Sequence, residues 1–206
     1  MALEDTRDRL LEAAGRAFAE KGFDAASVRE ICAAAEANVA AINYHFGDKQ
    51  RLYIEAVKHA HCRMEADPEA PSAGLPPEEQ LRGYILQMTR AMHDEHGPPW
   101  AAELVMREMA RPTAACAELA EAYIQPKFRA LLGIIAGLTP ASMSAERRHL
   151  LAFGVVGQIL LFRFHRPVGR ILVGASEFDG YRTEDLAEQV FRFSRAGIRA
   201  AAEAAP

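Results

Sequence analysis

A chain of 206 residues can bury a sizeable core and still carry a short module of about 50 residues. Hydrophobic residues make up 50% and charged residues 25%, and no apolar run reaches the roughly 18 residues of a membrane span, which excludes a disordered or membrane-embedded chain. The formal net charge of −4 excludes a surface coated with nucleic acid and leaves room only for a local DNA-reading face. The opening Met1-Ala-Leu-Glu-Asp-Thr-Arg lacks the basic, apolar, small-residue order of a secretory leader, so a cytoplasmic location is expected. Cys32, Cys62 and Cys116 are odd in number and without CxxC spacing, which fits a reducing compartment. His59, His61 and Cys62 lie on a predicted helix where residues two apart face different ways, so neither a metal site nor any other cofactor is expected.

From Asp5 to Lys21, Leu10, Leu11, Ala14, Ala17 and Phe18 recur at three and four, the stripe of an amphipathic helix that Gly22 should stop. Ser27 and Glu30 have capping-box spacing and open a second helix over about 28–34. Asn38 can cap a third, with Val39, Ile42 and Phe46 inward and Ala40, Ala41, Asn43, Tyr44 and His45 facing elsewhere. Asp48 caps a fourth, with Leu52, Tyr53, Ala56 and Val57 on one side through to about Met64. Residues 66–77 hold Pro68, Pro71, Gly74, Pro76 and Pro77 and read as a connector. Helical periods return over 78–96, 100–110, 113–138 with a kink at Pro126, 142–165 and 183–202. Gly174 and Gly180 make 170–181 a loop with a helical turn after Pro167. The expected fold is all-α: a helix-turn-helix DNA-binding domain over 1–50, then a helical effector-binding and dimerisation domain over 51–206.

The informative stretch is 27–49, because two short helices joined by a tight turn, the second exposing small and hydrogen-bonding side chains, fit a major groove about 12 Å wide. Ala40 and Ala41 permit close approach and can touch thymine methyls, and Asn43 can pair with an adenine edge. Tyr44, His45, Lys49, Ser27 and Arg29 can reach phosphates, and Asn38 completes the set as the cap. Spacing alone leaves open a helical hairpin whose polar residues only meet water.

Asn38-Val-Ala-Ala-Ile-Asn-Tyr-His-Phe-Gly-Asp-Lys49, preceded by Ser27-x-x-x-Ile31 and Gly22-Phe23, closely resembles the DNA-binding signature of TetR-family regulators. The resemblance is specific over about 5–57 and visible further on, where Trp100 to Arg111 with Pro112, and Gly154 to Pro167 with Gln158 and Phe162-Arg163, are similar to the C-terminal domain of the CecR-like subgroup. It implies a homodimeric repressor of double-stranded operator DNA, with its last two long helices paired across a two-fold axis and its middle helices around a small-molecule effector. Two positions depart from the pattern. Glu36 stands where the family usually has glycine, a cost of about 1 kcal/mol if that residue is left-handed. Asn43 replaces a common tyrosine, exchanging a phosphate contact for a base contact.

On that footing the effector cavity is assigned to Tyr84, Met88, Met92, Trp100, Leu104, Met106, Tyr123 and Phe128, with Glu103 or His93 as polar handles. Methionine also fills ordinary cores, so plain packing is the competing reading. The 142–165 segment is apolar on more than one side, as a helix between its own core and a partner would be. The dimer interface is placed on Phe153, Val156, Leu160, Leu161 and Phe191. No nucleophile elbow, phosphate loop or HExxH appears, so an enzyme is not expected. A helical adaptor binding only proteins is the alternative class.

Overall fold

In the computed structural model, which describes residues 2–64, 74–93 and 97–204, every regular element is a helix. Most of the expected connector, 66–73, lies outside the described residues. The first helix, α1 (Ala2–Ala25), buries Leu10, Leu11, Ala14 and Phe18, and is broken at Gly22, whose φ of +79° suits a residue without a Cβ. The break frees carbonyls at the end of the main helical run, and the Arg107 guanidinium donates to that of Ala19 at 3.0 Å. In α2 (Val28–Ala34), Ile31 and Cys32 are buried. Ser27 occupies the cap position but its side chain makes no capping bond, while the Glu30 carboxylate pairs with Lys21 at 2.8 Å and also accepts from the Ser27 backbone amide. The expected capping box is thus half-formed: the return bond from Glu30 is kept and the serine's own is not.

α3 (Val39–Phe46) is capped by Asn38, whose side-chain oxygen accepts from the Ala41 amide at 2.9 Å. Gly47 and Asp48 lead into α4 (Lys49–Met64), where the Asp48 carboxylate accepts from the Arg51 amide at 2.7 Å. Beyond α5 (Pro77–His93), the chain contributes α6 (Pro99–Ala110), α7 (Ala114–Leu119) and a π-helical turn, Ala120–Ile124. The expected kink takes this form: Pro126 lacks an amide and crowds the preceding turn, and one turn of wider winding before it absorbs the misfit.

Residues 1–65 and 96–124 form one compact unit, and 66–95 with 125–206 another. The division expected at residue 50 falls inside the first turn of α4, and the compact units do not follow it. The reason is packing: Leu52, Ala56, Val57 and Ala60 of α4 are fully buried in the same core as Leu10 and Ala14 of α1 and Ala101 and Leu104 of α6.

The second unit has its own core, from Leu81, Tyr84 and Ile85 of α5, Leu131 and Ile135 of α8 (Gln125–Leu138), Ala152, Val155 and Ile159 of α9 (Ala145–Phe164), and Val190, Phe191 and Ile198 of α12 (Thr183–Glu203). Between the last two, the region expected as loop is two short helices, α10 (Arg166–Val173) and α11 (Ala175–Asp179). Gly174, at φ +91°, separates them instead of dissolving them. Asp179 draws in Arg166 at 3.3 Å and Arg170 at 3.2 Å, and the Phe178 ring lies against Gly169. No described helix is long and apolar enough to cross a membrane.

Trp100 of α6 lies on α1 at Gly15, where an added Cβ would overlap its ring. A helix-interior glycine ordinarily gives up about 1 kcal/mol relative to alanine. Here the sign reverses: Gly15→Ala is expected to destabilise by about 1 to 3 kcal/mol through overpacking. Urea unfolding of the variant checks this, and a gain in stability would contradict the placement of Trp100.

Candidate nucleic-acid interface

The reading face is assembled by what α3 buries. Ile42 and Phe46 are sunk in the core beside Ile31, Ala35 and Tyr53, which turns Ala40, Asn43 and Tyr44 to solvent, Tyr44 with 74% of its surface free. Ala41 and His45 are half-buried at the edge of that face, and the His45 ring meets Tyr44 edge-on at 4.9 Å. Val39 was expected inward and is instead 44% exposed, since the first turn of α3 lies beyond the core that holds its second.

The residues expected to reach phosphates from outside α3 lie at the start of α2 and the start of α4. Arg29 is exposed and in no ion pair among the described residues. Ser27 is half-buried at the start of α2. Lys49 is held rather than waving: its ammonium sits 4.8 Å from the centre of the Phe23 ring and donates to the Asp24 carbonyl at 3.3 Å. Lys21 is less available, because the bond and charge of Glu30 raise its pKa while Lys21 holds the Glu30 carboxyl below its ordinary value. Ala40, Asn43, Tyr44 and Arg29 are thus exposed, with Ser27, Ala41, His45 and Lys49 half-buried.

The turn between α2 and α3 contains Glu36 at φ +51°, the one described non-glycine residue with positive φ. Its left-handed backbone is the conformation for which glycine is the ordinary choice.

Behind this face is a network that sequence reading missed. Glu108 of α6 is completely buried; its carboxylate accepts from the Tyr53 hydroxyl at 2.7 Å, from the Thr113 amide and hydroxyl at 2.6 and 2.9 Å, and from the Cys116 amide at 2.9 Å. Burial, then the Glu108 bond, push the Tyr53 phenol well above its ordinary range. The only signal in sequence was a glutamate on the apolar side of α6. Arg7 joins α1 to the reading module, lying over the Phe46 ring at 5.5 Å and pairing with Glu55 at 3.2 Å.

The effector residues do not gather in either unit. Trp100, Leu104 and Tyr123 belong to the first core or its margin, and Glu103 and Met106 are exposed there. Trp100 and Leu104 are corrected to core: one is wedged against Gly15 and the other is fully buried. Tyr84, Met88, Met92 and Phe128 lie in the second unit, where burial pushes the Tyr84 phenol up to about 12. The His93 side chain is outside the described residues. Among the interface residues, Phe153 is 61% exposed and Leu161 is also exposed, while Val156 and Leu160 are half-buried. Phe191 requires correction, because it is 2% exposed in its own core beneath Arg82; the free ring on α12 is Phe193.

A short helix, a tight turn and a second helix with a polar outer face, set in an all-helical chain, define a helix-turn-helix protein of the DNA-reading kind. The family described as bacterial regulatory proteins, tetR family, matches residues 10–56, and the C-terminal domain of the HTH-type transcriptional dual regulator CecR matches residues 77–198. CecR of Shigella flexneri is 29% identical over 204 residues, 91% of this chain and 88% of its own length. The repressor NicS of Pseudomonas putida is 32% identical over 81 residues, 39% of this chain and 38% of its own length. A crystal structure of a TetR-like regulator from Rhodococcus sp. RHA1 shares the fold with a TM-score of 0.61 at 18% identity, covering 94% of this chain and 95% of that one. The chain belongs to the TetR family of DNA-binding transcriptional regulators, with a C-terminal domain of the CecR type, a family of regulators and not of enzymes.

Glu36→Gly tests the strained turn. Relief of about 1 to 2 kcal/mol is partly offset by the roughly 0.4 to 1 kcal/mol of backbone freedom glycine adds to the unfolded chain. A net gain of about 0.5 kcal/mol in chemical denaturation is expected, with Glu36→Ala giving none, and equal behaviour of the two would remove the backbone explanation.

Proposed function

We propose that the chain is a cytoplasmic repressor that binds a palindromic operator as a homodimer and is released by a small apolar or amphipathic effector. The observation that carries this is the exposed face of α3, where Ala40, Asn43 and Tyr44 lie together beyond a cap formed by Asn38. In this reading Ala40 and Ala41 admit the helix to the major groove, Asn43 contacts a base edge, and Ser27, Arg29, Tyr44, His45 and Lys49 hold phosphates. One reading head per chain then calls for two, about 34 Å apart, and hence for a two-fold site.

Dimerisation is supported by α9 and α12. Leu150, Phe153 and Leu161 are exposed along one side of α9 and Phe193 on α12, while Gly154, Gly157 and Gly197 have open space where a Cβ would stand. Large apolar residues beside such gaps suit helices of a second copy approaching closely. The effector is assigned to the second unit, beside the half-buried Met88, Met92 and Phe128.

Gel-shift titration of a selected operator tests the DNA reading. Asn43→Ala should cost about 1 to 3 kcal/mol at one base position and relax preference there, whereas Lys49→Ala should weaken all sequences alike and reduce the salt slope by about one. Equal, sequence-independent losses would undo the division of roles, and a half-site bound as tightly as the palindrome would undo the dimeric reading.

For the effector, a compound that releases operator should itself bind about 5- to 150-fold more weakly when operator is present, since coupling between sites is reciprocal. Calorimetric titration with and without operator reads this factor; a ratio of one would show that the compound does not act through the proposed switch.

A further inference from the structure

We propose that the α10–α11 hairpin is a clasp that docks on the second copy of this chain and extends the contact made by α9 and α12; the proposal rests on the dimeric reading above. The outer edge of α10 carries Val168, Ile171 and Leu172, and Ile171 and Leu172 are 82% and 76% exposed. Two neighbouring aliphatic side chains so free of cover are unusual on a folded surface and form a patch instead of a scattered pair. The helix that bears them is not loose chain. Phe178 fills the space over Gly169, and Arg166 and Arg170 both close on Asp179. The inner side of the hairpin is satisfied within the chain, and its outer side is left for something else.

Continuity argues for a second copy as the occupant. A single residue, His165, separates α9 from α10, and the exposed apolar line of α9 runs through Leu150, Phe153 and Leu161 to within ten positions of Ile171. A surface that covered that line would therefore end beside α10. The charges argue against an anionic membrane: the guanidinium groups that would meet lipid phosphates are already engaged by Asp179, and eight residues make a short interfacial helix. The clasp thus adds apolar area without adding free charge.

Sedimentation over a concentration series tests this, with the double variant Ile171→Asp, Leu172→Asp beside Phe153→Asp. Both altered positions of the clasp are exposed, so the fold should persist, and circular dichroism confirms that it does. The expected result is a dimer whose dissociation constant rises about ten-fold or more in the clasp variant, a shift appropriate to losing two buried aliphatic side chains. A dimer unchanged in the clasp variant but broken by Phe153→Asp overturns the clasp and leaves the dimeric reading intact. A wild-type chain that is monomeric throughout overturns both. A photo-crosslinker placed at position 171 supplies an independent readout. Covalent dimers support the proposal, whereas adducts only to phosphatidylglycerol vesicles, lost in the clasp variant, would assign the patch to a membrane and overturn it.

Discussion

A carboxylate with no solvent contact can persist only if donors surround it, and Glu108 has four around two oxygens, with no cation paired to it among the described residues. Those donors come from α4 and from the start of α7, so one buried charge holds three helices in a single arrangement. Loss of any one donor would leave part of the charge unsatisfied in a low-dielectric interior, which costs more than an ordinary hydrogen bond contributes. The position of α4 follows from this, and that of α3 follows from α4, because Gly47 and Asp48 alone join them. An eight-residue helix has no stability by itself. The reading face exists because Ile42 and Phe46 are seated on a scaffold that Glu108 helps to lock.

The second unit is organised by a different constraint. Glycines at 154, 157 and 197 each weaken a helix by about 1 kcal/mol relative to alanine, and none is required by a close neighbour within the chain. In the proposed dimer their arrangement beside Phe153, Leu161 and Phe193 would let a facing side chain of the second copy seat deeply. Gln158 keeps the two helices in register from within: its amide donates to the Gly154 carbonyl at 3.0 Å and to the Ser194 hydroxyl at 3.2 Å. The bridge lies within a pair whose inner faces are otherwise apolar, with Ala152, Val155 and Ile159 and Val190, Phe191 and Ile198 in one core, while Phe153, Leu161 and Phe193 remain exposed.

Much of this was legible in sequence where the chemistry is local. Asn38 and Asp48 cap as their types predict, Gly22 breaks α1, and the three-and-four spacing of Ile42 and Phe46 correctly turned Asn43 and Tyr44 outward. Where a side chain has several partners, spacing tells only part: Glu30 bonds the Ser27 amide as a capping box requires and pairs with Lys21 as well, while the Ser27 hydroxyl makes no capping bond. Phe191 and Phe193 differ by two positions on a helix, which places them on different faces, and only the register set by Ala187, Val190, Ser194 and Ile198 says which is inside. The α10–α11 hairpin was hidden because Gly174 and Gly180 punctuate it as they would a loop, while the contacts that stabilise it are between Arg166, Arg170 and Asp179, too far apart in sequence for a periodicity to register. The effector set was divided because two apolar cores look alike in sequence; nothing in a methionine or tryptophan says which core it joins.

Two polar attachments of the reading head converge on α6. Arg107 and Glu108 are adjacent, and so point about 100° apart around the helix. One grips the carbonyl of Ala19 at the end of the main run of α1, and the other grips Tyr53 of α4. Just beyond the first contact, Gly22 turns the chain so that Phe23 and the Asp24 carbonyl receive Lys49. A displacement of α6 along its axis would therefore act on both sides of the reading head together, loosening the seat of Lys49 through α1 and re-aiming α3 through α4. Neither grip can yield separately without stranding a buried charge or exposing helix-end carbonyls. That double attachment, together with Ala101 and Leu104 in the shared core, ties α6 to both of the helices that seat the reading head.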